Sequence, residues 1–273
     1  MSNIEFIKMH GLGNDFVIFD LRDQKMTLSA RAVSSIANRR TGVGCDQVIA
    51  IETSDKLNID AAIRIWNADG GEVDACGNAV RCVGSLLLKA TGNDQVIIET
   101  AERSIKVSGQ RNESICVDMG EPQFGWTEIP LAKDLDTLSL DISAGELINP
   151  VAISMGNPHA VFFVTDTEAI DLNLLGPDLE CHPIFPKRAN ISIVEIQDFT
   201  NIRMRVWERG VGITSACGTG ACAAVVAGVR RGLISRSVSV TLDGGKMQVE
   251  WRLSDNRVIM VGPVKSSFRG LLL

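Results

Sequence analysis

The feature that most constrains this chain is a motif that occurs twice. The first copy runs from RIW to ACG over 64–77, and the second runs from RVW to ACG over 205–218. In each copy a cysteine, Cys76 or Cys217, lies ten residues after the tryptophan. If the two halves fold alike and face each other across a pseudo-twofold axis, the two thiols meet from opposite sides of one cleft. Opposed thiols around one small molecule indicate stereochemical inversion.

The repeat predicts two lobes rather than one. A chain of 273 residues is long enough for each lobe to bury its own core. Gly120-Glu121-Pro122 closes the first set of strands, so we place the N-terminal lobe at 1–118 and the C-terminal lobe at 119–263. The tail at 264–273 has no counterpart before that boundary and is expected to return to the first lobe.

Composition excludes several classes of function. Apolar residues make up 45% of the chain, charged residues 22%, and the net charge is -6, so a nucleic-acid partner is not expected. Apolar runs are too short to cross a membrane, and no basic segment followed by an apolar one marks a secretory signal. We expect a cytoplasmic protein whose seven cysteines are reduced.

Each half shows the same order of predicted elements. A strand, a tight polar turn and a second strand come first, followed by a helix, two strands, the cysteine, a small-residue helix and a strand pair. The sequence therefore predicts an α+β fold of two pseudo-symmetric lobes, each a mostly antiparallel sheet wrapped around a central helix. The predicted helices span 29–39, 79–92, 168–181 and 220–234.

Cys76 and Cys217 each precede a glycine at the start of a predicted helix. A helix N-terminus presents unpaired N–H groups and a partial positive charge, which lower the pKa of a thiol. The same N–H groups, from Gly77 and Asn78 or from Gly218 and Thr219, are suited to hold a carboxylate. One thiolate then removes an α-proton while the opposite thiol returns one, without an imine cofactor.

Polar residues recur at the matching strand ends. Asn14 and Asn157 lie in corresponding turns, and Asn67 and Glu208 directly follow the two tryptophans. Asparagine in one turn is usually there for the backbone. Its recurrence in both halves favours substrate contact, and His159, in the second turn, is a reasonable thiol partner.

Other chemistries find less support in the sequence. The remaining cysteines fit structural roles, and the chain lacks the C-x-x-C and H-x₃₋₅-H spacings of metal sites, so we expect no metal. A G-x-S-x-G elbow is absent. GLGND at 11–15 lacks the third glycine and the βαβ context of a dinucleotide fingerprint.

With these motifs in this order, the chain resembles the diaminopimelate epimerase family over nearly its full length: HGLGNDF, NADGGEVDACGNAVRC, MGNPHAV, RANI, ERG and ACGTGACA. The resemblance implies a cofactor-independent epimerase that interconverts LL- and meso-2,6-diaminoheptanedioate for lysine and peptidoglycan synthesis. It also implies two pseudo-symmetric lobes, a small-molecule substrate and a homodimer.

The family's site residues carry over onto matching positions. Cys76 and Cys217 match the acid/base cysteines, and His159 and Glu208 match residues that adjust the cysteine pKa values. Arg209 suits a bidentate clamp for a distal carboxylate. The substrate contacts implied by the resemblance are Asn14, Gln47, Asn67, Gly77, Asn78, Asn157, Asn190, Glu208, Arg209, Gly218 and Thr219.

The chain departs from the family pattern at four positions. Ala79 and Val80 replace small residues that often follow CGN, Cys45 stands where many members carry an aromatic, and Ile213 where many carry glutamate. None of these changes removes a residue to which chemistry is assigned. We expect altered packing near the site, with Cys45 as an added oxidation-sensitive thiol.

Three other functions compete with this interpretation. Proline and hydroxyproline racemases also use paired cysteines, but they bind a ring with a single carboxylate, whereas Arg209 and the asparagines suit a second polar substrate end. A redox-sensing protein that forms a reversible Cys76–Cys217 disulfide is the second alternative. A binding module without catalytic activity is the third.

Overall fold

The computed structural model describes residues 4–24, 26–73, 76–109 and 114–272. The chain divides into two compact units. Unit 1 takes residues 1–118 and 262–273, and unit 2 takes residues 119–261. The strands and helices of each unit are described separately.

Unit 1 begins with an antiparallel pair of strands joined by a two-residue turn. Leu12 and Gly13 form that turn with φ of 56° and 85°, a conformation that glycine adopts without strain and that suits a tight hairpin. The elements in chain order are β1 (Ile4–Gly11), β2 (Asn14–Asp20), α1 (Ala30–Ala37), β3 (Gln47–Glu52), β4 (Ala61–Asn67), β5 (Glu72–Val73), α2 (Gly77–Thr91), β6 (Gln95–Glu99), β7 (Ser104–Gly109) and β8 (Ser114–Asp118).

Unit 2 repeats that order after an added hairpin. The hairpin consists of β9 (Ser143–Ala144) and β10 (Leu147–Ile148), and buried residues around it, including Ile129, Leu140 and Leu147, join the unit 2 core. The repeated elements are β11 (Val151–Ser154), β12 (Pro158–Val164), α3 (Leu172–Glu180), β13 (Asn190–Asp198), β14 (Asn201–Glu208), β15 (Gly212–Ile213), α4 (Gly218–Arg230), β16 (Ser237–Leu242), β17 (Gly245–Trp251) and β18 (Val258–Pro263).

Strand pairing follows the same scheme in both units. β2 pairs in parallel with β3, and β4 with β6, in each case across a helix; β12 with β13 and β14 with β16 repeat this arrangement. The other neighbouring strands pair antiparallel. The predicted α+β class with mostly antiparallel sheets and few helices is confirmed.

One helix in each unit is almost entirely buried. In α2, Gly84 packs directly against β7. A Cβ atom at this position would lie only 2.4 Å from Val107 Cγ1, so no larger residue fits without a shift. In α4 every residue from Gly220 to Gly228 is buried, which the small side chains of this stretch permit. Close packing of these helices against their sheets fixes the position of each helix N-terminus.

The last strand, β19 (Lys265–Leu272), pairs antiparallel with β1 in unit 1. The helix expected at 168–181 begins later, at Leu172, because the Asp171 side chain accepts hydrogen bonds from Asn173 N and Leu174 N and so caps it. Among the helices of the described ranges, none has the length and apolar character needed to span a membrane.

Candidate active site

Cys76 and Cys217 occupy the same backbone position in their units. Cys76 immediately precedes α2 with φ -146° and ψ 115°, and Cys217 immediately precedes α4 with φ -118° and ψ 112°. Both conformations are extended, as expected for the residue that caps a helix. Gly77 and Gly218, the first residues of the two helices, are buried. Each thiol therefore lies beside the N–H groups that a helix N-terminus leaves unpaired.

Asn14 connects Cys76 to the strands of unit 1. Its Oδ1 accepts a hydrogen bond from Asn78 Nδ2 at 3.2 Å and lies 3.7 Å from Cys76 Sγ, so that the S–H points at this oxygen. Its Nδ2 donates to Asp46 Oδ2 at 3.1 Å. Because Asn14 is the first residue after the turn in 12–13, the hairpin places its amide next to the helix N-terminus.

Asp46 belongs to an ion-pair network behind Asn14. Arg39 Nη2 lies 2.8 Å from Asp46 Oδ1 and 2.7 Å from Asp15 Oδ1, and Lys8 Nζ lies 2.5 Å from Asp15 Oδ2. Burial acts to raise the pKa of Asp15, but the hydrogen bonds from Arg39 and Lys8 outweigh it and hold that pKa below its usual value. The network keeps the Asp15 carboxylate ionised in the folded protein.

Gln47 and Asn67 are directly opposite each other on β3 and β4. Gln47 Nε2 donates to Asn67 Oδ1 at 2.9 Å. Gln47 Oε1 is buried and has no hydrogen-bond partner among the residues that the structure describes. A buried carbonyl oxygen in that state is available to an ammonium group of a ligand.

In unit 2, a backbone N–H group and a hydroxyl group contact Cys217. Gly220 N donates to Cys217 Sγ at 3.4 Å, and the Thr219 hydroxyl lies 3.5 Å from the same sulfur. Asn157 Nδ2 in turn donates to Thr219 Oγ1 at 3.3 Å. A polar chain thus runs from the turn before β12 to the sulfur.

His159 is fully buried and lies behind Asn157, with its Nε2 2.9 Å from Asn157 Oδ1. Burial, assisted by the charge of Arg209, lowers the pKa of His159 to about 3, so the ring is neutral at physiological pH. Its Nδ1 is buried and has no hydrogen-bond partner among the described residues. The neutral ring therefore carries its proton on Nε2, where Asn157 Oδ1 accepts it.

The residues that follow β14 form a polar turn. Glu208 Oε1 accepts a hydrogen bond from the Thr214 hydroxyl, and Arg209 N donates to Asn190 Oδ1 at 3.0 Å. The buried Asn190 also donates to Pro158 O at 2.9 Å, so it ties this turn to the turn before β12. The Arg209 side chain is exposed, and its Nη1 lies 3.3 Å from Lys187 O. The guanidinium is therefore open to a ligand.

The predicted residues thus form two groups. In unit 1, hydrogen bonds connect Asn14, Asn78 and Cys76, and a separate hydrogen bond connects Gln47 with Asn67. In unit 2, one chain joins His159, Asn157, Thr219 and Cys217, and Asn190 holds the turn that carries Glu208 and Arg209.

Sequence reasoning missed the residues that hold these groups in place. Asp46 orients Asn14, and the Thr214 hydroxyl orients Glu208. Glu180, which is buried, accepts from Trp207 Nε1 at 2.7 Å and from Gly210 N at 2.9 Å, which fixes the turn from both sides. The one available signal was the position of Asp46, a charged residue two positions before the predicted strand at 48–52.

The expectation that Cys45 is an oxidation-sensitive thiol is wrong. The residue is only 2% exposed, and burial raises the pKa of its thiol to about 11, so little reactive thiolate forms at neutral pH. Cys82 and Cys222 are buried within α2 and α4, and burial raises the pKa of Cys82 to about 12. Within the described ranges, no group of three or more His, Cys, Asp or Glu side chains is arranged to hold a metal ion.

Comparisons of the sequence with known proteins all indicate the same family. The family model for diaminopimelate epimerase matches residues 6–125 and 151–266. A diaminopimelate epimerase of Rhodospirillum centenum is 49% identical over 267 residues, covering 98% of this chain and 91% of that protein. Another, of Erythrobacter litoralis, is 48% identical and covers 98% of this chain and 96% of that protein.

Solved structures with lower identity share the fold. A PhzF-family phenazine biosynthesis protein of Bacillus anthracis has a TM-score of 0.72 at 18% identity, with 100% of both chains covered. A hydroxyproline epimerase of Agrobacterium vitis has a TM-score of 0.69 at 14% identity, covering 99% of this chain and 92% of the other. At such identities the similarity establishes the α+β fold alone.

Proposed function

Because the chain belongs to the diaminopimelate epimerase family, we propose that it interconverts LL- and meso-2,6-diaminoheptanedioate with Cys76 and Cys217 as the acid/base pair. The observation that carries this proposal is the placement of the two cysteines, each directly before a buried helix of the same topological position. No other pair of cysteines in the described ranges shares this arrangement. The reaction belongs to lysine and peptidoglycan precursor synthesis.

In the proposed reaction, one thiolate takes the α-proton from one face of the stereocentre. The Cα–H bond breaks, an S–H bond forms, and the electron pair moves toward the α-carboxylate. The opposite thiol then gives its proton to the other face, which inverts the configuration and leaves a thiolate behind. The two sulfurs thus share one proton before and after each inversion, and they hold two protons while the α-carbon carries the negative charge.

The α-carboxylate must be held where its negative charge grows. The N–H groups at the starts of α2 and α4, from Gly77, Asn78, Gly218 and Thr219, are suited to this task because they are fixed in place before the reaction begins. Stabilising the carboxylate as charge develops lowers the barrier without any imine. The proposed mechanism needs no cofactor and no metal.

The second amino-acid end of the substrate needs its own partners. Arg209 has an exposed guanidinium that suits a distal carboxylate, and Gln47 has a buried carbonyl oxygen that suits a distal ammonium group. Asn67 accepts a hydrogen bond from the Gln47 amide. Asn157, through His159, and Asn190, through Pro158 O, stabilise the turn before β12. We assign Asn14, Asn67, Asn157 and Asn190 to substrate binding and its support.

His159 and Glu208 are proposed to adjust the ionisation of the cysteines. His159 acts as a neutral donor through Asn157. Glu208, held by Thr214, adds a carboxylate to unit 2. We further propose a homodimer, as the family resemblance implies. A cytoplasmic location would suit seven cysteines that form no disulfide among the described residues.

The test is epimerisation of LL-diaminopimelate by purified protein in deuterated water. We expect solvent deuterium at the α-carbon of the meso product, and loss of turnover in Cys76→Ala and in Cys217→Ala. Cys181→Ala serves as the matched control, because that cysteine is exposed at the end of α3 and should be dispensable. Proline and 4-hydroxyproline are offered in parallel.

Three outcomes would overturn the proposal. Full activity in either Cys76→Ala or Cys217→Ala excludes the two-base scheme. Inversion of proline or hydroxyproline without inversion of diaminopimelate assigns the chain to the other cysteine-dependent racemases instead. A reversible disulfide without turnover on any of these substrates would favour the redox-sensor alternative.

A further inference from the structure

The turn that carries Arg209 differs from the turn at the same place in unit 1. In both turns the N–H group of the fourth residue donates to the carbonyl oxygen of the first, at 2.9 Å in the turn 67–70 and at 3.0 Å in the turn 208–211. The third residue of the second turn is Gly210, with a φ of 74°, whereas Asp69 in the first turn does not have a positive φ. A positive φ at the third position but not at the second is characteristic of a type II turn. The two turns are therefore of different types.

The type of turn decides which way its central peptide group faces. Between types I and II, the ψ of the second residue and the φ of the third differ by about 150–170°, so the peptide group between them turns over. In unit 2 this peptide group joins Arg209 to Gly210. Its N–H group therefore points to the side that its carbonyl oxygen would face in a type I turn.

The buried Glu180 side chain lies on the side to which this N–H group points. Gly210 N donates to Glu180 Oε1 at 2.9 Å, and Trp207 Nε1 donates to Glu180 Oε2 at 2.7 Å. A carboxylate can only accept hydrogen bonds, so a peptide group turned over would bring the Arg209 carbonyl oxygen against it. Glu180 thus selects the type II conformation.

The fold by itself does not favour a carboxylate at position 180. Glu180 is the last residue of α3, where the helix dipole repels negative charge, and its side chain is only 7% exposed. Four residues earlier, Gly176 packs so closely on the Trp207 indole that a Cβ would lie 2.4 Å from Trp207 Cδ2. Arg188 Nη1, at 3.4 Å from Glu180 Oε1, is the one cation paired with this carboxylate in the part of the chain that the structure describes. An apolar side chain would avoid the desolvation of the charge, which indicates a role beyond packing.

Buried side chains hold both peptide groups that flank Arg209. Arg209 N donates to Asn190 Oδ1 at 3.0 Å, and the next N–H group donates to Glu180. The direction of the Arg209 Cα–Cβ bond is therefore fixed. The exposed guanidinium donates from Nη1 to Lys187 O at 3.3 Å, in the loop after α3. Glu180 holds this loop too, because its carbonyl oxygen accepts from Ala189 N at 3.2 Å.

We propose that Glu180 is a positioning residue for Arg209. By selecting the orientation of the peptide group between Arg209 and Gly210, Glu180 directs the guanidinium towards the distal carboxylate of the substrate. The proposal rests on the proposed function for the identity of that carboxylate. The corresponding turn of unit 1, which is not of type II, has Ala68 in place of Arg209. The type II turn thus occurs in the unit whose turn carries the cation.

The first test removes the acceptor oxygens of Glu180. In Glu180→Met we expect the KM for diaminopimelate to rise about tenfold or more while kcat falls less than about threefold, because a misdirected guanidinium weakens binding at the end remote from the reacting carbon. Glu180→Gln keeps an amide oxygen that can accept from Gly210 N. It should return KM to within about threefold of the value for the unsubstituted protein.

Trp207→Phe is the matched control. It removes the indole donor but keeps the hydrogen bond from Gly210 N, so it should lower the free energy of unfolding and change KM by less than about twofold. Arg188→Gln removes only an ion pair whose arginine is exposed, and it should change KM as little as Trp207→Phe does. An unchanged KM in Glu180→Met, or an equal rise in Trp207→Phe, would overturn the proposal.

Gly210→Ala tests the peptide orientation without a change to Glu180, and it decides the matter if Glu180→Met fails to fold. Apart from the adjacent residues, no atom of the described chain lies within 4 Å of a Cβ placed at this position. The substitution therefore acts through the φ of 74°, which is unfavourable for alanine. We expect KM to rise about fivefold in Gly210→Ala and less in Gly210→Asn, because asparagine adopts this φ more readily. An unchanged KM in Gly210→Ala would contradict the proposal.

A double variant tests whether Glu180 acts through Arg209. Arg209→Gln removes the guanidinium, so the addition of Glu180→Met should raise KM by less than about twofold further. If the increases of the two single variants multiply in the double variant, Glu180 acts independently of Arg209 and the proposal fails.

One readout does not depend on diaminopimelate turnover. In protein labelled with ¹⁵N-glycine, the Gly210 amide signal is identified by its absence in Gly210→Ala. Its proton should move upfield in Glu180→Met, which removes a charge-assisted hydrogen bond, but not in Trp207→Phe. If the signal moves so but the protein fails to epimerise diaminopimelate, the contact of Glu180 with the turn stands and the proposed function is wrong. If the protein epimerises diaminopimelate but KM is unchanged in Glu180→Met, the function stands and the role of Glu180 is wrong.

Discussion

Cys76 and Cys217 have the same backbone position, yet the residues behind them differ in charge. Behind Cys76 lies an ion-pair network in which Asp46 orients Asn14. Behind Cys217 lies a neutral, fully buried His159 that orients Asn157. At the corresponding helix position, one unit has Asn78 and the other has Thr219.

An inversion by two bases, as proposed, would use such a difference. One sulfur must accept a proton while the other supplies one, so two identical half-sites would compete for the same charge state. Repetition of the fold gives equal geometry at two helix N-termini. The residues around the two cysteines differ, and this makes the two sulfurs chemically different.

The largest expected effect comes from separating proton exchange from inversion. In deuterated water, each single alanine variant should lose about 10²-fold to 10⁴-fold or more in epimerisation, because one acid/base group is missing. Each variant retains one of the two thiols and should still exchange the α-hydrogen of one stereoisomer with solvent. Mass spectrometry of the recovered isomers measures this exchange, and exchange of both stereoisomers by either variant would contradict the division of roles between the two sulfurs.

The ion-pair network of unit 1 should be costly to break. Lys8 is buried, and Asp15→Asn leaves its ammonium group without the carboxylate 2.5 Å away. Removing one partner of a buried pair costs several kcal/mol, so we expect the free energy of unfolding to fall by about 2–4 kcal/mol. Urea denaturation measures the loss. The double variant Lys8→Met/Asp15→Asn should recover part of the lost stability. If it recovers none, the cost does not come from the unpaired Lys8 ammonium group.

The neutral histidine of unit 2 should make stability depend on pH. The pKa of His159 is lowered from 6.5 to about 3 by folding, so the unfolded chain binds the extra proton as pH falls below 6.5. Its contribution is fully present above that pH and should decline by about 2 kcal/mol at about pH 5.

A matched pair of variants isolates this effect. Urea denaturation of His159→Gln at about pH 7.5 and pH 5 should show a smaller difference than the unsubstituted protein. His182→Gln, in the loop after α3, should keep the full difference. Asp15, whose pKa lies below its usual value, loses its stabilising charge only at lower pH and so does not enter this window. The same pH dependence in His159→Gln would mean that another group is responsible.

Much of the architecture was predictable because local sequence patterns indicate its helices, strands and turns. The repeated strand, turn, strand and helix order, with glycines in the turns and small residues in α2 and α4, gave most element positions within a few residues. The two-residue strands β5, β9, β10 and β15 are too short to leave a periodic signal. The later start of α3 depends on the cap formed by Asp171.

The candidate site was predictable only in part. The motif repeat pointed to Cys76 and Cys217 because equivalent sequence positions imply equivalent helix starts. The orienting contact between Asn14 and Asp46 joins residues 32 positions apart, so no local pattern reveals it. Cys45 was misjudged for the same reason, since its burial depends on packing in the unit 1 core rather than on its neighbours in sequence. The catalytic and binding roles stay predictions until the variants are measured.

The smallest expected effect concerns the outer edge of the unit 1 network. Arg39 pairs with both Asp15 and Asp46, but its side chain is 58% exposed and that of Asp46 is 45% exposed. Exposed pairs contribute about 0–1 kcal/mol and are screened by salt, so Arg39→Gln should cost no more than that at low salt and nothing measurable in high salt. Urea denaturation at two salt concentrations measures the cost, with Arg22→Gln, which removes a single surface pair with Asp20, as the control. A loss comparable to that of Asp15→Asn would mean that Arg39, rather than Lys8 and Asp15, holds Asp46 and hence the amide that faces Cys76.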